Sequence, residues 1–202
     1  MSYITTSFQP RTRIKINDKT VLGSDSLKLL GVHLDSDVSF NTHVEKMAAK
    51  MRSKTWALSK LRKRGLDEQK LVRAYKCLIR PTVEYAAPVW HSLITASQAA
   101  SLERQQSQAL KNIYGPSLSA RKMRQKADLP SLNVRRETLV LNFAKKSVTN
   151  PRSHHWFQER DRPIYARRQG VRYPTYREQT ARTDRFRNSP KNFLIRKLNQ
   201  CL

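Results

Sequence analysis

From Asn41 onward the apolar residues of this chain settle into a single period. Val44, Met47, Ala48, Met51, Thr55 and Leu58 recur at three- and four-residue intervals, which places them on one stripe of an amphipathic α-helix. Lys46, Lys50, Ser53, Lys60 and Arg64 lie mostly opposite. The basic run Arg62-Lys63-Arg64 suits the negative end of a helix dipole, and Gly65 suits the position just past the last turn.

The same reading extends to the rest of the chain. Ahead of the helix, Arg11 to Ile16 alternates polar and apolar, with Ile14 and Ile16 on one face, and Asn17-Asp18-Lys19 is turn chemistry. Val21-Leu22 resumes the run, and Leu27 to Leu34 is a second strand candidate, so a small antiparallel sheet or hairpin is expected here. Beyond Gly65, Asp67-Glu68 opens a helix with an inward stripe of Leu71, Ala74, Tyr75 and Leu78, which Arg80-Pro81 punctuates. Val83 to Trp90, with Pro88 inside it, predicts a short or kinked helix. Ser97 to Tyr114 is helical with Ala99, Leu102, Leu110 and Ile113 inward, and Gly115-Pro116 stops it. Leu132 to Val148 is helical with Leu139, Val140 and Phe143 inward, ending at Asn150-Pro151. Residues 152–188 are poor in Leu and Val and read as an extended or disordered arm. A last short helix, Lys191 to Leu198, carries Phe193, Leu194 and Leu198.

Charge narrows the function. The 202 residues, enough for one domain with a tail, hold 40 Lys and Arg against 15 Asp and Glu, a formal net charge of +25. A polyanionic partner is the default expectation for such a chain. The excess is uneven: residues 1–39 carry net +1, residues 40–64 net +7, residues 65–150 net +8 and residues 151–202 net +9. Two cysteines, Cys77 and Cys201, exclude a disulfide scaffold or a cysteine-rich zinc site. Cys77 reads as a buried small hydrophobe. No apolar run approaches the roughly 20 residues that span a bilayer, and the N-terminus lacks the apolar core of a signal peptide. A nuclear or cytoplasmic protein without a membrane partner is expected.

Three blocks carry a family resemblance: LKLLGVHLDSDVSFNTHVEKM from Leu27, KLRKRGLDEQKLVRAYKCLIRPTVEYAAPVWHSL from Lys60, and SLERQQSQALKNIYG from Ser101. In this order and spacing they resemble the region after the polymerase palm in LINE-type (non-LTR, jockey-like) retrotransposon reverse transcriptases. The resemblance is strongest over residues 27–115. It implies that the segment around Leu29-Leu30-Gly31-Val32 lies at the palm–thumb junction, with Gly31 allowing close backbone approach within a strand. The helices from Asn41 would be the thumb that holds template and primer. The expected fold is therefore mainly α. A small β element over 1–39 precedes a helical, thumb-like bundle over 40–150 and a basic, partly disordered Arg/Tyr-rich tail over 151–202.

Members of that family polymerise with a Tyr/Phe-Ala-Asp-Asp turn and a third palm aspartate, which hold two Mg²⁺ ions. This sequence has no Asp-Asp pair. Asp35 and Asp37 stand two apart, and the plainer reading makes them a polar turn leading into a helix N-cap. The expectation is a C-terminal portion of a reverse transcriptase. It would bind RNA, DNA or an RNA–DNA hybrid, depend on the missing palm and fingers for chemistry, carry no cofactor of its own and not copy nucleic acid alone. A transposon-derived interaction or structural protein, or a non-functional relic, is the alternative.

Phosphate contacts are assigned first to Lys46, Lys50, Arg52, Lys54, Lys60, Arg62, Lys63 and Arg64. The second group is Arg121, Lys122, Arg124 and Lys126. A solvated helix face is the bland alternative for these charges. Tyr85, Trp90 and Tyr114 read as core aromatics rather than stacking platforms. Tyr165, Tyr173 and Tyr176, interleaved with Arg167, Arg168, Arg172 and Arg177, are better placed to hold single strands, or else form a solvated tail. His43, just inside a helix start, resembles a family histidine and reads as structural. His154-His155 beside Trp156 reads as tail anchoring. Neither HExxH nor CxxC occurs, so zinc has little support.

Overall fold

A computed structural model describes residues 13–160 and 174–201. It is mainly helical behind two small hairpins. Strands β1 (Arg13–Ile16) and β2 (Lys19–Leu22) pair antiparallel, Arg13 opposite Leu22 and Ile16 opposite Lys19. Asn17 turns the chain at φ 52, a conformation its short amide side chain tolerates.

The run from Leu27 to Leu34 is not one strand. It folds back on itself as β3 (Ser26–Leu29) and β4 (Val32–Asp35), with Leu29 opposite Val32. Leu30 and Gly31 make the turn with φ of 46 and 85. Two consecutive positive φ values are what a tight two-residue hairpin demands. Gly31 is thus a turn residue rather than a strand residue, yet the close approach is real. A Cβ there would stand 3.2 Å from the Tyr85 ring, whose hydroxyl donates to the Leu30 carbonyl at 2.7 Å.

The link into the first helix is built by Asp35. Its Oδ2 accepts from the Thr42 backbone N–H at 3.2 Å and from Ser39 Oγ at 3.1 Å, while Asp37 Oδ1 accepts from the Ser39 N–H at 3.0 Å. Phe40, buried, enters α1 (Asn41–Lys63) in the left-handed conformation. Every stripe residue named above, from Val44 to Leu58, is buried, joined by His43. The helix ends in a Schellman motif: Gly65, at φ 86, donates to the Arg62 carbonyl and Leu66 to that of Leu61.

Asp67 caps α2 (Glu68–Ala74) by accepting from the Lys70 N–H at 2.8 Å. Leu71, Tyr75, Ile79, Val83 and Ala87 are then buried at strict four-residue intervals. A straight α-helix would rotate such a set by roughly 40° per step. The chain widens instead into a π turn over Tyr75–Ile79, ahead of Pro81, which has no N–H to give. The wider turn keeps the stripe facing inward. It also overturns two expectations: Ile79 replaces Leu78 in the core, and Cys77 is exposed.

Short helices α3 (Pro81–Glu84) and α4 (Ala87–Trp90) follow, broken at Ala86 with φ 51. Trp90 is fully buried, whereas Tyr85 is 56% exposed and so not a core aromatic. Helix α5 (Ala96–Tyr114) starts with a Thr95–Gln98 capping box and packs along α1 through Leu102, Ala109, Leu110 and Ile113. Helices α6 (Ala120–Lys126) and α7 (Leu132–Thr149) begin at Ser119 and Ser131, each accepting from a backbone N–H.

In α7 the buried positions are Leu132, Arg136, Val140, Ala144 and Ser147. Leu139 is partly buried, and Phe143 points outward, contrary to its assignment. The described C-terminal residues, 151–160 and 174–201, carry local structure of their own. A 3-10 turn (His154–Trp156) leaves both histidines exposed, and Phe157, not the histidine pair, anchors the segment. Glu159 pairs with Tyr176 across an isolated bridge. Helices α8 (Asp184–Arg187) and α9 (Pro190–Cys201) complete the chain. Two asparagines of α9 clamp the segment that precedes it: Asn192 bonds both backbone groups of Gln179, and Asn199 both of Tyr176. Side-chain amides satisfy a backbone here that has no sheet to join. Tyr165, Tyr173, Arg167, Arg168 and Arg172 lie outside the described residues.

Candidate nucleic-acid interface

The seven cations of α1 and Arg64 at its C-cap do not form one face. Lys46, Lys50 and Lys54 follow each other at four-residue intervals along the edge next to β4 and α3. Arg52 lies on the other flank, in a cleft shared with Ser97, Gln98 and Ser101 of α5. Lys60, Lys63 and Arg64 gather at the C-terminal end beside Trp56, with Lys60 Nζ 4.9 Å from the Trp56 ring centre. Arg62 turns toward α5 and donates to the Asn112 carbonyl at 2.8 Å.

Two of these cations have structural work. Arg62 ties α1 to α5. Lys54 donates at 2.7 Å to both the Leu78 carbonyl and Thr82 Oγ1, satisfying a carbonyl at the end of the π turn. Lys46 and Lys50 are left with outward-facing charge. Lys46 Nζ comes within 3.5 Å of His33 Nδ1 on β4. Lys28 on β3 stands opposite His33 in the ladder.

His33 reports on this cluster. Its pKa is lowered, first by desolvation and then by Lys46, Lys28 and Lys50. Three cations thus act on one imidazole, with Asp35 opposing them. Behind it, His43 is buried, accepts the His33 N–H at Nδ1 (3.3 Å) and meets the Trp90 ring edge-on at 5.5 Å. Burial pushes its pKa down to about 4, with His33 and Lys50 adding to the shift. His43 is a neutral packing residue that positions the β3–β4 hairpin against α1. A cleft of about 350 Å³ opens alongside, walled by Gly31, Lys50, Lys54, Thr82 and Tyr85. Its volume lies toward the lower end of the range for ligand-sized clefts.

On α6, Arg121 and Lys122 are exposed and Arg124 is partly exposed. Lys126 is paired with Glu68 at 2.6 Å and sits 4.6 Å from the centre of the Tyr114 ring. Because Glu68 stands four residues past Arg64, that pair brings the end of α6 beside the end of α1. Of the twelve cations assigned from sequence, Lys126 has a carboxylate partner. Among the described residues the other eleven have none within 4.0 Å.

Lys28, His33 and Trp56 escaped the sequence reading. Lys28 and His33 become neighbours only when Leu27–Leu34 is read as a hairpin, which the Leu-Gly pair at its centre permits. Trp56 carried its own signal: a large aromatic on the polar side of a basic helix, 64% exposed, where it can stack on a base or sugar.

Asp35 and Asp37 do not suit a magnesium pair. Asp35 Oδ2 is engaged by Thr42 and Ser39 and Asp37 Oδ1 by the Ser39 N–H, while Asp35 Oδ1 is buried without a partner among the described residues. The hydrogen bonds outweigh the effect of burial on Asp35, holding its carboxyl below the usual range. Among the described residues no three His, Cys, Asp or Glu side chains converge to hold a metal ion. No helix among them is long and apolar enough to cross a membrane. Comparison of the chain with protein-family models, with curated proteins and with solved structures gives no match.

Proposed function

We propose that this chain is the template–primer-holding portion of a LINE-type reverse transcriptase, a binding module whose polymerising carboxylates belong to a palm outside it. The observation that carries the reading is the cluster of Lys28 and Lys46 about His33, with Lys50 one turn further along α1, at the junction of hairpin and helix, none of the three lysines having a carboxylate within 4.0 Å among the described residues. Cations without acidic partners are free to neutralise phosphate, and phosphate contacts position a duplex without reading its sequence. Trp56 with Lys60, Lys63 and Arg64 supplies a second basic group at the C-terminal end of α1.

The hairpins support the reading from the other side. Ile14, Leu22, Leu27, Leu29 and Leu30 are more than half exposed. Two-stranded hairpins with exposed apolar faces are marginal in water, and a palm sheet would cover them.

Titration of a labelled RNA–DNA hybrid into the chain tests the proposal. With about five cations in contact, log affinity falls with log salt at a slope near −4.5 on duplex DNA, and charge reversal at Lys28, Lys46 and Lys50 abolishes measurable binding. A salt-independent affinity, or one that survives the reversal, overturns it. Primer extension by the purified chain with Mg²⁺ and dNTPs would overturn the second half of the reading.

A further inference from the structure

Exposed apolar surface collects at a second place, far from the lysine edge in sequence. Helices α4, α7, α8 and α9 and the 3-10 turn enclose an open groove of about 720 Å³, within the size range of ligand and side-chain docking pockets. Its walls carry Val89, Phe143, Trp156 and Phe186, each more than a third exposed, over Pro190 and Leu194. Four large apolar side chains held together in water mark a docking face, unlike the same residues scattered singly. The groove is pre-shaped: Asn192, buried, holds the Phe186 carbonyl at 3.2 Å and the Gln179 backbone on the other side.

The charge around it selects the occupant. Lys191 stands on the groove wall and shares an adjoining cleft with Arg177 and Trp156. Of the acids nearby, Glu178 lines that cleft 3.9 Å from Arg196, and Asp184 pairs with Arg187 at 3.1 Å. The described residues of 151–202 carry nine cations against three acids. A second copy of a +25 chain is repelled from such a rim. A phosphodiester backbone finds no donors on walls made of carbon. An acidic segment with bulky apolar side chains on one face satisfies both floor and rim.

We propose that this groove docks a short, acidic, amphipathic helix of a partner protein. Its apolar side chains seat among Phe143, Trp156 and Phe186, and its carboxylates reach Lys191 and Arg177. Recognition of this kind places a few apolar anchors in a groove and leaves charge on the rim for orientation and rate. The proposal does not rest on the nucleic-acid reading, and its test does not use nucleic acid binding as a readout of success.

The probes are labelled synthetic peptides of about four helical turns, with the full chain as the receptor. One carries Leu and Phe at i, i+3, i+4 and i+7 among Glu and Ala; a second has the same composition scrambled; a third replaces Glu by Lys. The patterned acidic peptide is expected to bind at least about tenfold tighter than either control, a difference that one or two seated anchors supply. Phe143→Asp and Phe186→Asp each weaken it about tenfold or more, and Lys191→Glu about threefold. All three positions reach solvent, so thermal melts should match the parent and exclude unfolding as the cause. Equal binding of patterned and scrambled acidic peptides reduces the effect to bulk charge attraction and overturns the proposal. So does an affinity unmoved by Phe143→Asp and Phe186→Asp. Dodecanoate that binds in the groove while the patterned peptide does not would assign it to small amphiphiles and overturn it as well.

Discussion

The cations of this chain live in two different electrostatic settings. Along the outer edge of α1, Lys46 and Lys50 face Lys28 and His33, and among the described residues no carboxylate lies within 4.0 Å of them. Around α3, α7 and α9 the opposite holds. Arg80 and Arg135 share Glu84 at 2.8 and 2.9 Å, Lys197 reaches Glu137 at 3.2 Å, and Arg187 reaches Asp184 at 3.1 Å. The chain has only 15 acidic residues, and two of them, Glu84 and Glu137, tie α3 to α7 and α7 to α9. Net charge therefore overstates the binding surface in one region and describes it well in the other. What distinguishes a phosphate-ready cation from a structural one is the distance to the nearest acid.

Acid offers the harshest test of that contrast, because it adds charge behind both surfaces. His43 lies behind the lysine edge and His91 behind the paired region, where Arg136 Nε donates to its Nδ1 at 3.3 Å. Burial pushes both imidazoles down to about 4, with Arg136 adding to the shift at His91. A histidine depressed in the folded state binds its proton more readily when unfolded. Its contribution is therefore complete above the ordinary value near 6.5 and is lost as pH falls toward 4. Each site is expected to remove about 2 kcal/mol between pH 7 and 4.5, which urea denaturation at the two pH values measures. Proton NMR separates the sites, and an imidazole at position 43 or 91 that titrates near 6.5 would refute the burial argument for it.

Next in size is neutralisation of the free cations. Replacing Lys28, Lys46 and Lys50 by Gln should lower hybrid affinity by roughly an order of magnitude per lost contact at 0.1 M salt and flatten the salt slope by about 2.7. The melting temperature should hardly move. Arg135→Gln and Lys197→Gln remove the same formal charge from the paired region and should leave affinity within about twofold. If the two sets of variants lose affinity equally, bulk charge governs binding and the contrast between regions dissolves.

The paired region answers to the reverse experiment. Glu84→Gln strips the partner from two half-buried arginines, and a loss of about 2 kcal/mol in stability is expected, less than for a fully buried pair because both guanidiniums reach water. Affinity for the hybrid should stay level or rise slightly. An unchanged melt would mean that Arg80 and Arg135 repair themselves with solvent.

Much of this architecture could be read from residue order. The α1 stripe from Val44 to Leu58, the Gly65 stop, the Asp67 cap and the inward face of α5 follow from local period and capping chemistry, which neighbours in sequence determine. The failures share a different origin. Leu78 and Cys77 moved outward because a π turn inserts a residue into the helical period, and nothing in a 3.6-residue template anticipates that. Phe143 looked like core by type, but the stripe of α7 runs through Arg136 and Ala144, and Phe143 joins the groove wall instead. The backbone at Tyr176 and Gln179 looked unsupported because its partners are Asn199 and Asn192, polar residues 23 and 13 positions away. Within the candidate site the lysines were visible as lysines. Which of them were free depended on Leu78, Asn112 and Glu68, carbonyls and a carboxylate brought in by tertiary packing.

Arg136 fits neither setting, and the smallest predicted effect concerns it. It is fully buried, its Cζ lies 5.5 Å from the centre of the Trp90 ring, and among the described residues neither Nη has a hydrogen-bond partner. Burial pulls its pKa down, while Glu103 and Glu137 pull it back from outside contact distance. A cation so placed loses its hydration without the full set of donors satisfied that would restore it. Methionine matches much of the arginine stem, packs well against an aromatic ring and removes the desolvated charge. Arg136→Met should therefore change stability by no more than about 1 kcal/mol, because lost contacts to His91 and Trp90 oppose relief of the buried charge. Chemical denaturation of the pair of proteins at neutral pH measures it. A loss above about 3 kcal/mol would place Arg136 among the structural cations, stabilised at longer range by Glu103 and Glu137, and the division between free and contact-paired charge would need a third class.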